Sequence, residues 1–309
     1  MSSTNIDYVG IGFCSNDYLS VLPHIPYDSK VQMLEHLIQG GGPAATATVA
    51  AARLGLSAAF ISTVGDDDAG KRILRDFEAE HVSTQAMIVR KGFVSPIAYC
   101  WIEQATGKRC VAWTRGNLAE LDPATEVDFD LISKAKMLHL DGHQTAAALA
   151  AADVARAHGV LVNFDAGTIR PGVEQLVRKA DILITSEEFA RRFTETDDLS
   201  QAIFKLAETG ARVCGITMGE QGSMVLDNGN ILRCPAFTIK PVDTTGAGDV
   251  YHTAFGVRYL ETHDLAESMR FASAVSALKC LQPGGRTGIP GREEVDRFLK
   301  NNGAIPQDR

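Results

Sequence analysis

Residues 136–165 read KMLHLDGHQTAAALAAADVARAHGVLVNFD, two short apolar runs on either side of an Ala-rich segment. Lys136–Asp141 and Val160–Asp165 have the apolar composition of strands that are buried on both faces. Between them, Gln144–His158 has the length and composition of a helix, and Gly159 closes it. A strand, a helix and a strand in this order predict two parallel strands joined by a crossover helix.

The same alternation continues along the chain. Ala44–Leu54 is a second bounded helix, because Pro43 suits its first position and Gly55 follows its end. The remaining strand-like runs are Tyr8–Phe13, Ala58–Thr63, Asp181–Thr185 and Val213–Met218. This pattern predicts an α/β fold, with a central, mostly parallel sheet flanked by helices on both faces.

One region departs from the alternation. Pro96–Gln104 and Lys108–Thr114 are strand-like runs joined by a short loop with a glycine, which predicts a hairpin. Asp17–Gln39 also reads as extended pieces around two prolines. We therefore expect residues 1–309 to form a single α/β domain with a small antiparallel lid, built from about residues 14–40 and 92–116.

Composition narrows the class of protein. The chain has 309 residues, 45% of them hydrophobic and 22% charged, which is typical of a folded globular protein. A net charge of −8 offers no broad basic surface for nucleic acid or for an anionic membrane. Six cysteines without a CxxC pair argue against a zinc site, and the N-terminus lacks the pattern of a secretion signal. We expect a cytoplasmic protein.

The segment most informative about chemistry is VDTTGAGD, residues 242–249, followed by residues of helical period. Small residues at a helix N-terminus leave backbone N–H groups free, and the helix dipole there favours an anion. Asp249 is unfavourable beside a bound phosphate unless it has a task, such as accepting the proton of an attacking hydroxyl. The alternative is that Asp249 only stabilises the first turn of the helix.

The motif Asp243–Asp249 (DTTGAGD) resembles the C-terminal signature of the ribokinase-type (PfkB) carbohydrate kinases. Residues 40–47 (GGGPAATA), together with 50–55 (AAARLG), resemble a second signature of that family, and 64–70 (VGDDDAG) fits the turn that follows. This resemblance implies a ribokinase-like fold with a β lid. It also implies ATP as phosphoryl donor, Mg²⁺, and transfer of the γ-phosphoryl group to a sugar-like hydroxyl.

The resemblance also implies roles for individual residues. Asp249 matches the general base, and the backbone N–H groups of Gly246, Ala247 and Gly248 match the anion hole. Asp17, which we expect at the end of the first strand in Gly12–Asp17, matches the acid that binds acceptor hydroxyls, although it could be an ordinary loop acid. Gly41 and Gly42 match the turn along which the sugar lies.

Two further segments resemble ligand sites of the family. Thr217, Gly219 and Gly222 match its nucleotide segment, although a plain turn would also explain TxGxxG. Asp243 and Thr245, with carbonyls from Gln282–Gly288 that include Gly284 and Gly288, match a monovalent-cation site, for which we expect K⁺. The alternative is that this Gly-rich loop only connects the last helices.

The sequence departs from the family pattern at two places. Ala45 stands where an Asn is usual, and Ser186-Glu187-Glu188-Phe189 replaces the Asn-x-x-Glu motif that organises Mg²⁺ and phosphates. Ser186 and Glu187 are the nearest substitutes at the ATP site, but Glu187 could equally stabilise the first turn of a helix.

Within the family, the chain resembles the sulfofructose kinases most, and both departures are shared with them. Of the three residues that bind a sulfonate there, the resemblance matches only Lys30, while the other two positions fall at Trp113 and His143. His143 and Arg115 could face the acceptor or lie on the surface. Because a buried sulfonate needs several donors, we expect an uncharged or weakly anionic ketose-like sugar.

Three alternatives stay open at this point. They are a sulfofructose kinase, a nucleoside kinase and, from another class, a non-catalytic sugar-binding regulatory protein. The last would have little use for an intact Asp249. Apolar residues of the lid such as Ile97, Tyr99 and Trp101 predict a homodimer through the lid.

Overall fold

The computed structural model describes residues 6–303. The strands are β1 (Tyr8–Ile11), β2 (Ser15–Leu22), β3 (Glu35–Gly41), β4 (Ala58–Ile61), β5 (Thr63–Gly65), β6 (Val82–Ser83), β7 (Ile88–Arg90), β8 (Ile97–Glu103), β9 (Arg109–Thr114), β10 (Met137–Leu140), β11 (Leu161–Ala166), β12 (Ile182–Ser186), β13 (Val213–Thr217), β14 (Ser223–Asp227) and β15 (Asn230–Cys234). The helices are α1 (Pro43–Arg53), α2 (Asp68–Ala79), α3 (Phe129–Ser133), α4 (Thr145–Ala157), α5 (Val173–Val177), α6 (Glu187–Thr194), α7 (Leu199–Ala207), α8 (Ala247–Thr262), α9 (Leu265–Lys279) and α10 (Arg292–Asn301).

The main sheet has nine strands in the order β15-β14-β13-β12-β11-β10-β1-β4-β6. All neighbouring pairs from β13 to β6 are parallel, so the predicted α/β class is confirmed. The last two strands form an antiparallel hairpin that the sequence analysis missed. Its two-residue turn is Asn228-Gly229, both with positive φ, which is a common hairpin turn.

Helices cover both faces of this sheet. One face packs against α1, α2, α8, α9 and α10, and the other against α3 to α7. Alternate residues of one strand enter different cores, as Tyr8 and Val9 do in β1. This explains the near-continuous apolar composition of the strands. In the described part of the chain, no helix is both long and apolar enough to cross a membrane.

A second sheet has four strands in the order β3-β2-β8-β9. The β8–β9 pair is the predicted hairpin. The expectation of an entirely antiparallel sheet was wrong, because β2 and β8 are parallel. β2 follows the carboxyl end of β1, and β8 follows that of β7. Both strands therefore leave the main domain from the same edge and run in the same direction.

Two expected strand boundaries also change. The run Ala58–Thr63 is divided between β4 and β5, and β5 pairs with β7 in a separate two-stranded sheet. Asp17 does not end the first strand, because β1 ends at Ile11 and Asp17 is the third residue of β2. It belongs to the small sheet, above the carboxyl edge of the main one.

Candidate active site

Asp141, just beyond the end of β10, organises the carboxyl edge of the main sheet. Its carboxylate accepts hydrogen bonds from the N–H groups of Phe13 (2.9 Å), Ala44 (3.0 Å) and His143 (2.9 Å). These donors lie after β1, at the start of α1 and before α4. One buried carboxylate therefore joins three segments that are far apart in the sequence.

Asp17 lies against the glycine turn at the end of β3. A Cβ atom on Gly41 would lie 1.9 Å from its Oδ2, so only glycine leaves room for this carboxylate. Gly42 has a φ of 96°, and a Cβ there would meet the Phe13 carbonyl at 2.2 Å. Burial raises the pKa of Asp17, against a hydrogen bond from Ser15 Oγ (2.5 Å). The structure thus brings the predicted acceptor residues Asp17, Gly41 and Gly42 together.

Asp249 lies in the first turn of α8. Burial, with the nearby negative charge of Asp165, raises its pKa to about 7, while the imidazole of His252 acts in the opposite direction. Within residues 6–303, no donor is hydrogen-bonded to this carboxylate. A carboxylate with a pKa near neutrality and free oxygens is suited to general base catalysis.

At the start of α8, the structure differs from the predicted anion cradle at one of the three N–H donors. Gly246 is the N-cap residue, but the Ala247 N–H donates to the Thr244 carbonyl at 3.2 Å. The free donors of the three are therefore those of Gly246 and Gly248. A Cβ on Gly248 would meet no atom within 4 Å, so this residue borders open space.

A cavity of about 410 Å³ joins the cradle to the predicted nucleotide segment. Thr217, Gly219 and Gly222 line one side of it, and Ala247 and Gly248 line the other. The strand end of β13 thus faces the helix start of α8 across one space. This volume lies within the usual range for a small-molecule site.

Ser186 and Glu187 lie beside this cavity but outside its lining. Ser186 is opposite Thr217 in the β12–β13 pair, and its hydroxyl caps α6 by accepting the Phe189 N–H. Glu187 forms an ion pair with Arg191 on the same helix at 2.9 Å. Both side chains stabilise α6. This agrees with the alternative interpretation, in which Glu187 stabilises the first turn of a helix.

An aromatic cluster lies on the other side of the carboxyl edge. The Phe13 ring stacks on His143 at 4.8 Å between centroids and meets the edge of Trp113 at 5.4 Å. Trp113 is 49% exposed, whereas His143 is buried, so the surface alternative for His143 was wrong. Lys30 is exposed in the loop between β2 and β3.

His143 also lines a cavity of about 600 Å³ with Arg115, Arg170 and Glu120. Arg115 forms a long ion pair with Glu120 at 3.5 Å. In the described part of the chain, no carboxylate pairs with Arg170, whose Nε is buried without a partner. Burial lowers the pKa of His143, and both arginines act in the same direction, so its ring is neutral near pH 7.

A buried ion pair lies behind Asp249. His252, one turn further along α8, contacts Asp165 Oδ1 through its Nδ1 at 2.8 Å. Burial opposes the charged forms, yet Asp165 raises the pKa of His252 and His252 lowers the pKa of Asp165. The pair therefore places two groups whose charged forms stabilise each other close to the candidate base.

At the predicted cation site, hydrogen-bond donors and a lysine ammonium contact the oxygen atoms of Asp243. Asp243 is buried, and its Oδ1 accepts the N–H and hydroxyl of Thr245 at 2.8 and 2.7 Å. Its Oδ2 accepts the Gly284 N–H at 2.7 Å. The ammonium of Lys279 donates to the Asp243 carbonyl at 2.9 Å. A Cβ on Gly288 would lie 2.3 Å from the Lys279 carbonyl, so Gly288 packs against the end of α9.

Several of these residues were absent from the sequence-based site. Asp141 and Asp165 end predicted strands, which is a signal for the ligand-binding edge of a parallel sheet. Lys279 is the only charged residue in 271–281 (FASAVSALKCL), and Phe13 carries no signal beyond its position after the first strand.

Known proteins resemble this chain over most of its length. A model of the pfkB family carbohydrate kinases matches residues 8–292. The chain is 28% identical to a nucleoside kinase from Methanothermobacter thermautotrophicus over 98% of this chain and 99% of that protein. It is 29% identical to a ribokinase from Bacillus subtilis over 84% and 87% of the two chains. The structure of an Arabidopsis thaliana ribokinase with ribose and ATP superposes with a TM-score of 0.83 at 23% identity, covering 96% of this chain and 99% of that one, which shows a shared fold.

Proposed function

Because the chain belongs to the pfkB family of carbohydrate kinases, which are phosphotransferases with an alcohol acceptor, we propose that it transfers the γ-phosphoryl group of ATP to a terminal hydroxyl of a sugar or sugar-like polyol. The observation that carries this proposal is the position of Asp249. It lies in the turn that begins α8, next to the free N–H groups of Gly246 and Gly248. A base and an anion cradle are adjacent there, and the cradle residue Gly248 lines the cavity of about 410 Å³.

In the proposed reaction, the polyphosphate lies in the cavity between Thr217 and Gly248. The N–H groups of Gly246 and Gly248 stabilise the charge that develops on the transferring phosphoryl group. The acceptor oxygen forms a bond to phosphorus while the bond from phosphorus to the leaving ADP oxygen breaks. The hydroxyl proton passes to Asp249, which is partly ionised near neutral pH.

Mg²⁺ enters this scheme as part of the substrate MgATP, held mainly through the phosphates. A structure of an Escherichia coli relative with 20% identity contains ATP and Mg²⁺. Glu187 is paired with Arg191, so we assign it no metal contact. We also leave K⁺ out of the reaction, since both carboxylate oxygens of Asp243 accept hydrogen bonds from N–H or O–H donors.

For the acceptor, we propose a ketose-like sugar with two hydroxyls on Asp17. The Oδ2 of this carboxylate lies directly against Gly41, where the absence of a side chain leaves room for the carboxylate. In the cavity of about 600 Å³, the Arg115–Glu120 pair is internally neutral and His143 is uncharged near pH 7, which leaves Arg170 as the unpaired guanidinium of that cavity. One guanidinium suits an uncharged or weakly anionic acceptor better than the fully ionised sulfonate of sulfofructose.

A nucleoside is the second candidate, favoured by the aromatic cluster. Phe13 and the exposed ring of Trp113 could stack on a base. The nucleoside kinase from Methanothermobacter thermautotrophicus aligns with almost the whole chain, which gives this candidate further support. A regulatory protein without catalysis is disfavoured, because the base and two donors of the cradle are intact.

The small sheet of β2, β3, β8 and β9 is proposed as the lid of the acceptor site. Tyr99 and Trp101 are 48% and 41% exposed on β8, which supports a homodimer formed through this sheet. All six cysteines are free thiols, as suits the reducing cytoplasm.

The test is a coupled ADP-release screen over free hexoses, pentoses, polyols, phosphosugars, sulfosugars and nucleosides, ranked by kcat/KM. We expect a free ketose to rank first. A nucleoside in first place would support the second candidate, and sulfofructose or a phosphosugar would refute the charge argument. The Asp249→Asn variant should lower kcat by about 10²- to 10⁴-fold while ATP still binds. If no compound releases ADP, the kinase assignment itself fails.

A further inference from the structure

Lys279, the last residue of α9, is completely buried. Its side chain has 0% exposure, and its Nζ donates to the Asp243 carbonyl at 2.9 Å. Lysine is almost never fully buried unless it is paired, because an ammonium loses its hydration on burial. A lysine in this position therefore needs an electrostatic reason.

Asp243 supplies that reason. It is 1% exposed, and the three donors to its carboxylate are the backbone N–H groups of Thr245 and Gly284 and the Thr245 hydroxyl. These donors are neutral, so they leave the negative charge without a counter-ion. Arg109 reaches the Thr244 hydroxyl from the solvent side but is exposed. Lys279 is the buried cation beside Asp243.

The same contacts leave little for a potassium ion to bind. A cation needs oxygen atoms whose lone pairs face it. The Asp243 carbonyl faces the Lys279 ammonium, and both carboxylate oxygens face N–H or O–H donors. The oxygen atoms of Asp243 therefore do not fit the expected cation site.

We propose that the Lys279 ammonium is the resident cation of this loop and that it positions the anion cradle without a potassium ion. It connects the end of α9 to Asp243, whose side chain in turn holds Thr245 and Gly284. The cradle residue Gly246 follows Thr245 directly. Lys279 is thus a positioning residue for the cradle and for Asp249.

A second contact from α9 supports this arrangement. Ser276 Oγ donates to the Ala247 carbonyl at 3.0 Å, so α9 contacts both the loop before α8 and its first residue. Removal of the ammonium leaves Asp243 buried without a counter-charge. The loop must then shift to expose the carboxylate or to admit another cation.

The experiment first compares the wild-type protein in KCl, NaCl and choline chloride at equal ionic strength. We expect the melting temperature to agree within about 2 °C in the three salts, because no ion binds to the folded state. The acceptor kcat/KM should agree within about threefold. A larger rise in either quantity that is specific to KCl would overturn the proposal. The melting temperature does not depend on the proposed kinase function, so the two ideas fail separately.

The second arm removes the charge. Lys279→Met keeps the length of the side chain but cannot donate or carry a charge, and Lys300→Met on exposed α10 is the matched control. We expect Lys279→Met to lower kcat by about 10- to 100-fold with a smaller change in KM, because the cradle loses its position while binding groups remain. Lys300→Met should behave as wild type. A folded Lys279→Met protein with unchanged kcat would refute the positioning role, and the salt comparison decides the proposal if that variant does not fold.

Discussion

Lowering the pH should switch off the proposed transfer by protonating Asp249. Burial and the negative charge of Asp165 disfavour the carboxylate form and raise its pKa to about 7. Only the ionised form can accept the proton of the attacking hydroxyl. Activity should therefore rise as the pH increases through about 7.

The size of the effect follows from this pKa. A single group with a pKa of about 7 is roughly one-tenth ionised near pH 6 and nine-tenths ionised near pH 8. The acceptor kcat/KM should thus be about tenfold lower near pH 6 than near pH 8. An aspartate with an ordinary pKa of 3.8 would be ionised at both values and would produce no such change. The measurement is coupled ADP release at saturating ATP, with excess Mg²⁺ and constant ionic strength.

The Asp249→Asn variant tells whether this residue is the titrating group. Its residual rate should be independent of pH over the same range, while circular dichroism and ATP binding stay as in the wild type. A wild-type profile that is flat between about pH 6 and pH 8 would contradict the assignment of Asp249 as a base with a raised pKa. The same slope in the variant would show that another group, such as His252, titrates.

Local sequence determined most of the main sheet. Each buried strand carries its apolar composition within a few residues, so β10, α4 and β11 could be predicted from residues 136–165. The β14–β15 hairpin has an equally local signal, since Asn228-Gly229 is a typical two-residue turn, although it was not among the predicted elements. The parallel pairing of β2 with β8 could not be predicted, because it joins segments about 80 residues apart, and strand composition does not specify a partner.

The candidate site likewise combines residues that are close in the sequence with contacts between distant segments. Gly246, Gly248 and Asp249 lie within four residues, so their sequence alone predicted a cradle and a base. The contacts of Phe13 with His143 and of Lys279 with Asp243 bring together distant segments. A charged residue in an apolar helix shows only that some partner must exist. Only the fold shows that the partner of Lys279 is Asp243. At this residue we had expected K⁺ from the sequence, and the structure places the Lys279 ammonium there.

Two substitutions test the acceptor site and the buried pair. Gly41→Ala places a Cβ 1.9 Å from Asp17 Oδ2, so the acceptor kcat/KM should fall by about 10- to 100-fold with unchanged KM for ATP. Gly291→Ala, where the nearest atom is 4.0 Å away, is its control, and equal acceptor kinetics in both variants would contradict the role of Asp17. Asp165→Asn removes the partner of His252, whose pKa Asp165 raises. Because His252 can release its proton instead of staying buried and charged, the loss in unfolding free energy should be about 1–3 kcal/mol. A raised histidine pKa stabilises the fold fully below its unfolded value of 6.5, and that stabilisation disappears as the pH rises through the folded value. The difference between wild type and Asp165→Asn in urea unfolding should therefore be larger near pH 6 than near pH 9, and an equal difference at both values would show that the two side chains are not paired as ions.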